Sequence, residues 1–454
     1  TKSPYAMETA LASLLQGGGI SNKYSRLWSG NLPIYSSLEI ASLEGVIHFY
    51  IRIHKKFKPL VTANLYAHYP GIEIVEADDY TKLIRYHHLS KDVSCWGTTY
   101  TLSEKWKPVN PETGKPYSKS RKKEPKDDKD AYSMPADFLP IKTYVDYGLD
   151  KNPDEEVKID PITILLEVMG SIKKGEYFWY QILVQDEGAY NGSKFPKMYV
   201  NDMTHDHVSL KEMAETRKKQ IRTEKYLIKG DPMYDKYGDI EQKKAGKDSE
   251  GNTLMVDALQ PKTVPVPKKD TDLTVEDKDE IEAINRKLSK PLACVVMRLM
   301  YVTKSESFDG RHIQNTLSFP KPYKGSNSFS PTFNTDPYDY PWQKVGGRDR
   351  WRAEEMFDAY VEREGFFPHI GKNETLQRWE DAVFKASSMK NRKIFRMIYD
   401  SIFHPFAHPH PEAAFTLNME ELATLWHFPG SVAATPTLPR IDSVKGVAPS
   451  NLPV

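Results

Sequence analysis

The feature that most constrains the fold is a segment that is apolar on both of its faces. Residues 177–185 carry aromatic or aliphatic side chains at odd and even positions alike, and Gly175 turns the chain into them. A strand of this kind has to be covered on both sides, as the central strands of layered sheets are. Residues 294–302 predict a second buried strand. The chain is therefore expected to be an α+β protein built around these strands.

The first block of the chain predicts a short series of regular elements. Residues 37–42 predict a strand, 43–45 a turn, and 46–53 a second strand with one buried face, because its apolar side chains alternate. Apolar residues at helical spacing predict a helix over 57–68, and 72–75 predict a further strand. The order β-β-α-β is the split pattern of ferredoxin-like units.

Similar elements recur further along the chain. Asp160 is a candidate cap for a helix that Gly170 ends, and the strand at 177–185 follows it. Thr274 and Asp277 predict a capping box for another helix, which leads to the strand at 294–302. This order allows a duplication of the first unit, although no sequence repeat marks it.

Composition divides the chain into five regions. Lys, Asp, Glu and Pro dominate the segment after the first unit, which has too few aliphatic side chains to offset an ordering entropy of ~1–2 kcal/mol per residue. The predicted regions are a first α+β unit at 1–102, a polar insertion at 103–133, a second α+β unit at 134–345 with a polar insertion near 228–272, a helical region at 346–428, and an extended Pro-rich arm at 429–454.

The charge balance argues against a nucleic-acid or membrane surface as the main partner. With 63 Lys and Arg against 62 Asp and Glu, the net charge is +1. The basic runs at 119–126 and 211–225 are interleaved with acids, so nucleic-acid contact is expected only indirectly; a nucleic-acid-binding module remains an alternative. Two cysteines exclude a disulfide framework and a four-cysteine zinc site. No apolar run reaches the ~20 residues that span a bilayer.

Catalytic motifs are missing from the sequence. It contains no phosphate-binding Gly-x4-Gly-Lys-Ser/Thr, no Gly-x-Ser-x-Gly and no His-Glu-x-x-His. Cys294 lies on a predicted buried strand, where a thiol behaves as a small apolar group, and Cys95 has no motif around it. The acidic residues of interest are too scattered to form an acid–base pair: Glu73, Glu76, Asp78, Asp79 and Asp160. We therefore predict no enzyme activity, no cofactor and no catalytic residue.

The candidate metal ligands are histidines near the C-terminus. His404, His408 and His410, with Glu412, have side chains that could converge on zinc. Three prolines in this stretch leave few geometries open, so a connector between two helices is the favoured interpretation. A metal-dependent enzyme at these histidines remains an alternative. The histidines at 205–207 are interpreted as part of a solvated loop.

The C-terminal region offers apolar side chains for contact with another chain. Asn418, boxed by Glu421, predicts the start of a last helix. The Pro-rich arm that follows carries apolar anchors that could dock on a neighbour. The predicted interaction residues are Leu422, Leu425, Trp426, Val432, Leu438 and Ile441.

Several motifs, taken in their order along the chain, carry a resemblance. They are KSPYAME at 2–8, SLEIASLEGVIHFYIR at 37–52, LYAHYPGIEIVEADDY at 65–80, DPITILLEVMG and GEYFWYQILV within 160–184, and LNMEELATLWHFPG at 417–430 with a closing PSNLP. Together they resemble the non-ATPase, membrane-linked region that accompanies type IV secretion and conjugation ATPases (TraG-like, HerA-like) in candidate-phylum bacteria (Patescibacteria).

The resemblance implies an α+β domain beside a motor and brings no catalytic residue. It implies membrane association on the cytoplasmic side, through segments upstream of Thr1, which is consistent with a chain that does not begin with Met. We therefore expect a non-catalytic structural or adaptor component of a type IV secretion-like or DNA-transfer-like membrane apparatus. Its expected partners are further copies of itself, as a homo-oligomer, and a secretion or conjugation-type ATPase.

Overall fold

The computed structural model describes eleven stretches of the chain: residues 3–15, 34–109, 134–150, 160–186, 199–200, 207–232, 242–247, 253–257, 259–332, 348–364 and 414–429. These residues form a mixed α+β structure, as predicted. The chain divides into two units. Unit 1 comprises Thr1–Ser103, Pro140–Phe195 and Ser289–Val454, and unit 2 comprises Glu104–Leu139 and Pro196–Leu288.

The described residues contain fifteen strands and eight α-helices. The strands are β1 Tyr35–Leu43, β2 Val46–Arg52, β3 Val93–Leu102, β4 Lys105–Trp106, β5 Met134–Pro135, β6 Glu176–Asp186, β7 Tyr199–Val200, β8 His207–Val208, β9 Thr223–Pro232, β10 Gln242–Lys247, β11 Thr253–Asp257, β12 Leu259–Pro267, β13 Leu292–Lys304, β14 Phe329–Thr332 and β15 Phe415–Asn418. The helices are α1 Pro4–Ala12, α2 Lys58–His68, α3 Ile162–Gly170, α4 Leu210–Ile221, α5 Val275–Leu288, α6 Arg311–Ser318, α7 Arg348–Val361 and α8 Met419–Leu425.

Unit 1 is built on a seven-stranded sheet in which all neighbouring strands are antiparallel. The strand order is β14-β3-β13-β6-β1-β2, and β15 pairs with β13 beside this path. The length of β13 permits this, because residues 297–304 pair with β3 and residues 292–295 pair with β15. The apolar segment 177–185 lies in β6, between β13 and β1, so the prediction of a central strand is confirmed.

The hairpin that opens the sheet has the predicted turn. Glu44 and Gly45 join β1 to β2 with φ angles of 56° and 92°. Positive φ at both central residues is typical of the tight turns that match the twist of a hairpin. A Cβ atom on Gly45 would also lie 2.9 Å from the carbonyl oxygen of Ile172. Glycine therefore satisfies both the conformation and the close approach at this position.

The predicted strand at 72–75 is wrong, and the β-β-α-β order is completed by β3 instead. Ile72 and Ile74 pack against the core while Glu73 is exposed, so the alternation reflects burial without strand pairing. The finer prediction of duplicated ferredoxin-like units is not confirmed. Strands from both predicted units belong to one sheet, and β6 and β13 separate β1 from β3.

The first face of the sheet carries the main core. Helices α1, α2, α3 and α8 contribute buried apolar side chains to it, among them Met7, Val61, Leu165 and Leu422. Alternate residues of the strands, such as Ile182, point into the same core. Full burial of a side chain of this size contributes ~1.5–3 kcal/mol, so this face supplies most of the packing energy of unit 1.

The last strand and helix complete this core. The predicted helix with Asn418 and Glu421 as its capping box is confirmed, but the four residues before it form β15 within the region predicted to be helical. The side chains of Leu422, Leu425 and Trp426 are 0% exposed. They lie in the core of this chain, out of reach of a partner, and we therefore correct their assignment from interaction to packing. Val432, Leu438 and Ile441 lie outside the described residues.

Unit 2 pairs β9 with β12 and β10 with β11, all antiparallel. Strands therefore occupy much of 228–272, which the sequence predicted to be a polar insertion. The side-chain pattern did not indicate these strands, because they are held together by hydrogen bonds between backbone groups. The basic run at 211–225 is helical as far as Ile221, where α4 ends, and the chain then continues as β9. The predicted capping box of α5 is present, with the Asp277 amide 3.1 Å from Thr274 Oγ1.

Helices α4 and α5 of unit 2 are joined by a two-pronged ion pair. Arg217 Nε and Nη2 lie 2.7 and 3.0 Å from the two carboxylate oxygens of Glu280.

Within the described part of the chain, no helix combines the length and the apolar composition that a membrane crossing requires.

Candidate functional site

A row of polar side chains crosses the second face of the sheet. Glu39 of β1 lies opposite Gln181 of β6, and Gln181 lies opposite Arg298 of β13. Leu38 and Ile40 point into the main core, so strand alternation places Glu39 on the other face. The exposed fractions of the three polar residues are only 1%, 0% and 6%. Buried charges at these positions require partners, and helix α7 lies over the row and supplies them.

Glu39 is the centre of this network and accepts five hydrogen bonds. Its Oε1 atom accepts from Gln181 Nε2 at 3.2 Å, from Arg363 Nε at 2.9 Å and from the Ser37 hydroxyl. Its Oε2 atom accepts from the Tyr80 hydroxyl at 2.7 Å and from Arg363 Nη2 at 3.3 Å. The carboxylate thus receives a full set of donors in place of water.

Arg363 bridges Glu39 to a second carboxylate. Its Nη1 and Nη2 atoms lie 2.8 and 3.0 Å from the two oxygens of Asp79. Desolvation acts to raise the pKa of Asp79, but hydrogen bonds from Arg363 and Thr81 outweigh it and hold that pKa at about 2. Burial acts to lower the pKa of Arg363, and the two carboxylates outweigh it and raise that pKa. Asp79 and Arg363 are therefore both charged at neutral pH.

Arg363 occupies an unusual backbone position at the end of α7. Its φ angle is 57°, in the left-handed region. The Glu364 amide donates to Ala359 O at 2.9 Å and the Arg363 amide donates to Tyr360 O at 3.1 Å, which is the Schellman arrangement that glycine usually completes. A non-glycine residue there costs ~1–2 kcal/mol. The ion pairs of the Arg363 side chain offset this strain.

The carbonyl end of α7 rests on the polar row. Arg298 donates to Ala359 O at 2.8 Å and to Glu364 O, and Gln181 Nε2 donates to Tyr360 O at 3.1 Å. A cation is favourable at this end of a helix, where the carbonyl groups point outward. Burial lowers the pKa of Arg298 to about 10, so the guanidinium stays charged at neutral pH.

Two tyrosines close the network. The Tyr80 and Tyr360 hydroxyls lie 2.9 Å apart, and the Tyr80 ring stacks on Tyr50 with 4.8 Å between centroids. Burial raises the pKa of both hydroxyls well above the usual value, so both remain protonated donors. Gln181 Oε1 and Trp179 Nε1 are buried on this face and have no hydrogen-bond partner within the described residues.

A second buried charge pair lies on the opposite side of the sheet, between Asp160 and His427. His427 Nε2 is 2.8 Å from Asp160 Oδ2, and its Nδ1 is 2.9 Å from Ala423 O. Both ring nitrogens face acceptors, so the imidazolium fits the pair best. Burial acts to lower the pKa of His427, and the Asp160 charge outweighs it and raises that pKa. Burial acts to raise the pKa of Asp160, and His427 outweighs it and lowers that pKa.

One group of three metal-binding side chains stands out among the described residues: His87, His88 and Glu354. His87 and His88 belong to the segment before β3, and Glu354 belongs to helix α7. The predicted candidates His404, His408 and His410 lie outside the described residues. His207 lies in β8, whereas residues 205 and 206 of the same predicted loop lie outside the described residues.

The structure separates the other residues that the sequence singled out. Asp79 and Asp160 belong to different networks, while Glu76 forms an exposed pair with Lys58 at 2.8 Å. Burial raises the pKa of the Cys95 thiol, which keeps it protonated. Cys294 is buried in β13, as predicted. None of these groups approaches another in the manner of an acid–base pair among the residues that the structure describes.

Glu39 and Arg363 are the central residues of the network that sequence reasoning missed. A usable signal existed for Glu39, because it is a charge inside an otherwise apolar alternating strand, and Arg298 repeats that signal in β13. Arg363 had none, since a left-handed arginine after a helix is indistinguishable in sequence from a solvated one. No family model, curated protein or solved structure matches the chain. Fold and site define it as an α+β protein with a sheet covered by helices on both faces.

Proposed function

We propose that the chain is a non-catalytic structural or adaptor component of a type IV secretion-like or DNA-transfer-like membrane apparatus. It acts on the cytoplasmic side by self-association or by docking a partner ATPase. The observation that carries the proposal is that the buried ionisable groups of unit 1 have structural partners. They bond to one another across distant parts of the chain and hold helices on the sheet.

The Glu39–Arg363–Asp79 network supports this role because its groups are committed to each other. A group that performs acid–base catalysis has to reach the proton it moves, directly or through one water. Glu39 is 1% exposed beneath α7, and Tyr360, which belongs to α7, is 0% exposed. Their chemistry therefore favours stabilisation of a rigid platform.

A third ionic cluster follows the same principle. Lys290 Nζ lies 2.8 Å from Glu8 Oε1 and 2.8 Å from Glu420 Oε2, and so connects α1 to α8. Tyr144 donates to Glu8 Oε2 at 2.6 Å. The carboxylates of Glu8 and Glu420 thus also connect elements of the fold, although carboxylates of this kind are candidate catalytic bases when only the sequence is known.

The surface that we assign to docking is the outer edge of β2. Among the described strands, β2 pairs only with β1, so its other backbone edge is open to a further strand. Val46 is 43% exposed and His48 is exposed on this strand. An incoming strand would add main-chain hydrogen bonds along β2 and cover both side chains.

The test is the mass of the intact chain in solution, measured by light scattering alone and after mixing with an ATPase of the secretion or conjugation type. We expect a mass above the 52.1 kDa of one chain, or a stable complex with the ATPase. Val46→Lys should weaken either association, because a charge at the edge opposes strand addition. Val275→Lys is the matched control, since Val275 is 74% exposed in unit 2.

A strictly monomeric chain that forms no complex with the ATPase would contradict the proposal. Equal losses with Val46→Lys and Val275→Lys would contradict the choice of the β2 edge while leaving association intact. The duplicated ferredoxin-like units and the extended Pro-rich arm remain predictions. The nucleic-acid alternative depends in part on the basic run at 119–126, which lies outside the described residues.

A further inference from the structure

We infer that His87, His88 and Glu354 form a binding site for a divalent transition-metal ion of the zinc class. One ligand atom of each side chain lies within 4.8 Å of the other two. Imidazole nitrogen and carboxylate oxygen are ligands that zinc and its neighbours in the series accept. This site goes beyond the proposed adaptor function and does not depend on it.

One pair of ligand atoms already has the spacing expected around a coordinated ion. Zinc binds nitrogen and oxygen ligands at ~2.0–2.2 Å, so two ligands of a tetrahedral site lie ~3.4 Å apart. His87 Nε2 is 3.5 Å from Glu354 Oε1. His88 Nδ1 contacts Glu354 Oε2 directly, and an ion would take the place of the proton between them. To accommodate the ion, the Glu354 carboxylate has to move away from His88.

The elements around the site hold two of the three ligands in place. The Ser90 amide donates to His87 O at 2.9 Å and closes a turn that sets the two imidazoles side by side, 4.4 Å apart. The His88 amide donates to Glu354 Oε2 at 3.3 Å and ties this turn to α7. The His88 and Glu354 side chains are only 10% and 16% exposed, whereas that of His87 is 50% exposed. An ion can therefore enter from solvent past His87.

Binding has one identifiable cost and one open position. His87 Nδ1 accepts a hydrogen bond from the Leu89 amide at 3.2 Å. A metal ion on Nε2 moves the ring proton to Nδ1, so that bond is exchanged for the metal bond. The fourth position is left open to a water molecule.

The first experiment is a titration of the full chain with Co²⁺, whose visible spectrum reports its coordination, followed by competition with Zn²⁺. We expect the His87→Asn/His88→Asn double variant and Glu354→Gln each to bind one equivalent less than the wild type. His48→Asn, which removes an exposed imidazole from β2, should keep the full number. A His404→Asn/His408→Asn/His410→Asn variant should also retain this equivalent. Unchanged stoichiometry and affinity in the double variant would overturn the inference.

The second experiment needs no substitution and so remains decisive if a variant fails to fold. Exposed imidazoles of the wild type are modified with diethyl pyrocarbonate, with and without Zn²⁺, and each histidine is quantified by mass spectrometry. Zn²⁺ should slow modification of His87 severalfold while His48 and His54, both exposed, react at an unchanged rate. The same rate at His87 with and without Zn²⁺ would overturn the site.

Discussion

Arg363 Nε lies 2.9 Å from Glu39 Oε1 and joins residues that are 324 positions apart in the chain. The same guanidinium binds Asp79, so strand β1, the segment before β3 and the end of α7 meet at one cation. Loss of one partner from such a group leaves a buried charge without compensation. The second face of the sheet is therefore expected to depend on Arg363.

Replacement of Arg363 by alanine should destabilise unit 1 strongly. Breaking a buried ion pair by removing one partner costs ~3–5 kcal/mol, and here two carboxylates lose the cation. Urea unfolding followed by tryptophan fluorescence measures the change. Arg311→Ala is the control, because Arg311 forms its pair with Asp309 while 84% exposed and should have little effect. Equal losses of stability in the two variants would show that the buried network stabilises unit 1 no more than an exposed ion pair does.

Glycine at position 363 should be tolerated better than alanine. Both substitutions remove the charge, but only glycine adopts the φ angle of 57° without strain, so Arg363→Gly should unfold with a free energy ~1 kcal/mol higher than Arg363→Ala. At Glu282, an exposed position in the middle of α5, the order should reverse. There the glycine variant should be ~1 kcal/mol less stable than the alanine variant. The same order at both positions would contradict the left-handed assignment of Arg363.

Gly325 and Gly71 should respond differently to alanine. A Cβ atom on Gly325 would lie 2.6 Å from the Lys142 amide nitrogen and 2.9 Å from the Ile141 carbonyl carbon, whereas one on Gly71 would meet nothing within 4 Å. Gly325→Ala should cost ~1–3 kcal/mol through backbone displacement. Gly71→Ala should stay within ~0.5 kcal/mol of the wild type. Thermal unfolding of the two variants under identical conditions provides the comparison, and a silent Gly325→Ala would contradict the close approach.

The Asp160–His427 pair should make stability depend on pH in a defined direction. The pKa of His427 is raised above 6.5, so its contribution is complete below that pH and is lost as pH rises through the folded-state value. The pKa of Asp160 is lowered below 3.8, so its contribution is complete above that pH and is lost as pH falls through the folded-state value. The pair therefore stabilises most between these limits.

Unfolding free energies of the wild type and His427→Gln, measured from mildly acidic to alkaline pH, test this dependence. The difference between the two proteins should be largest near pH 5 and should shrink as pH rises past the raised His427 value. His54→Gln, which changes an exposed histidine outside this pair, should run parallel to the wild type. A difference that grows with increasing pH would contradict the charged state of His427.

Sequence alone determined the elements whose signals are local. The strand at 177–185, the turn at Glu44 and Gly45, and the capping boxes at Thr274–Asp277 and Asn418–Glu421 were readable because each depends on residues within one turn or one strand. Only the tertiary structure decided which apolar faces meet. It placed β6 and β13 between strands of the first block, and it buried Trp426. It also brought Arg363 to Glu39, because contacts between distant residues depend on the packing of whole elements and leave no periodic trace in the chain.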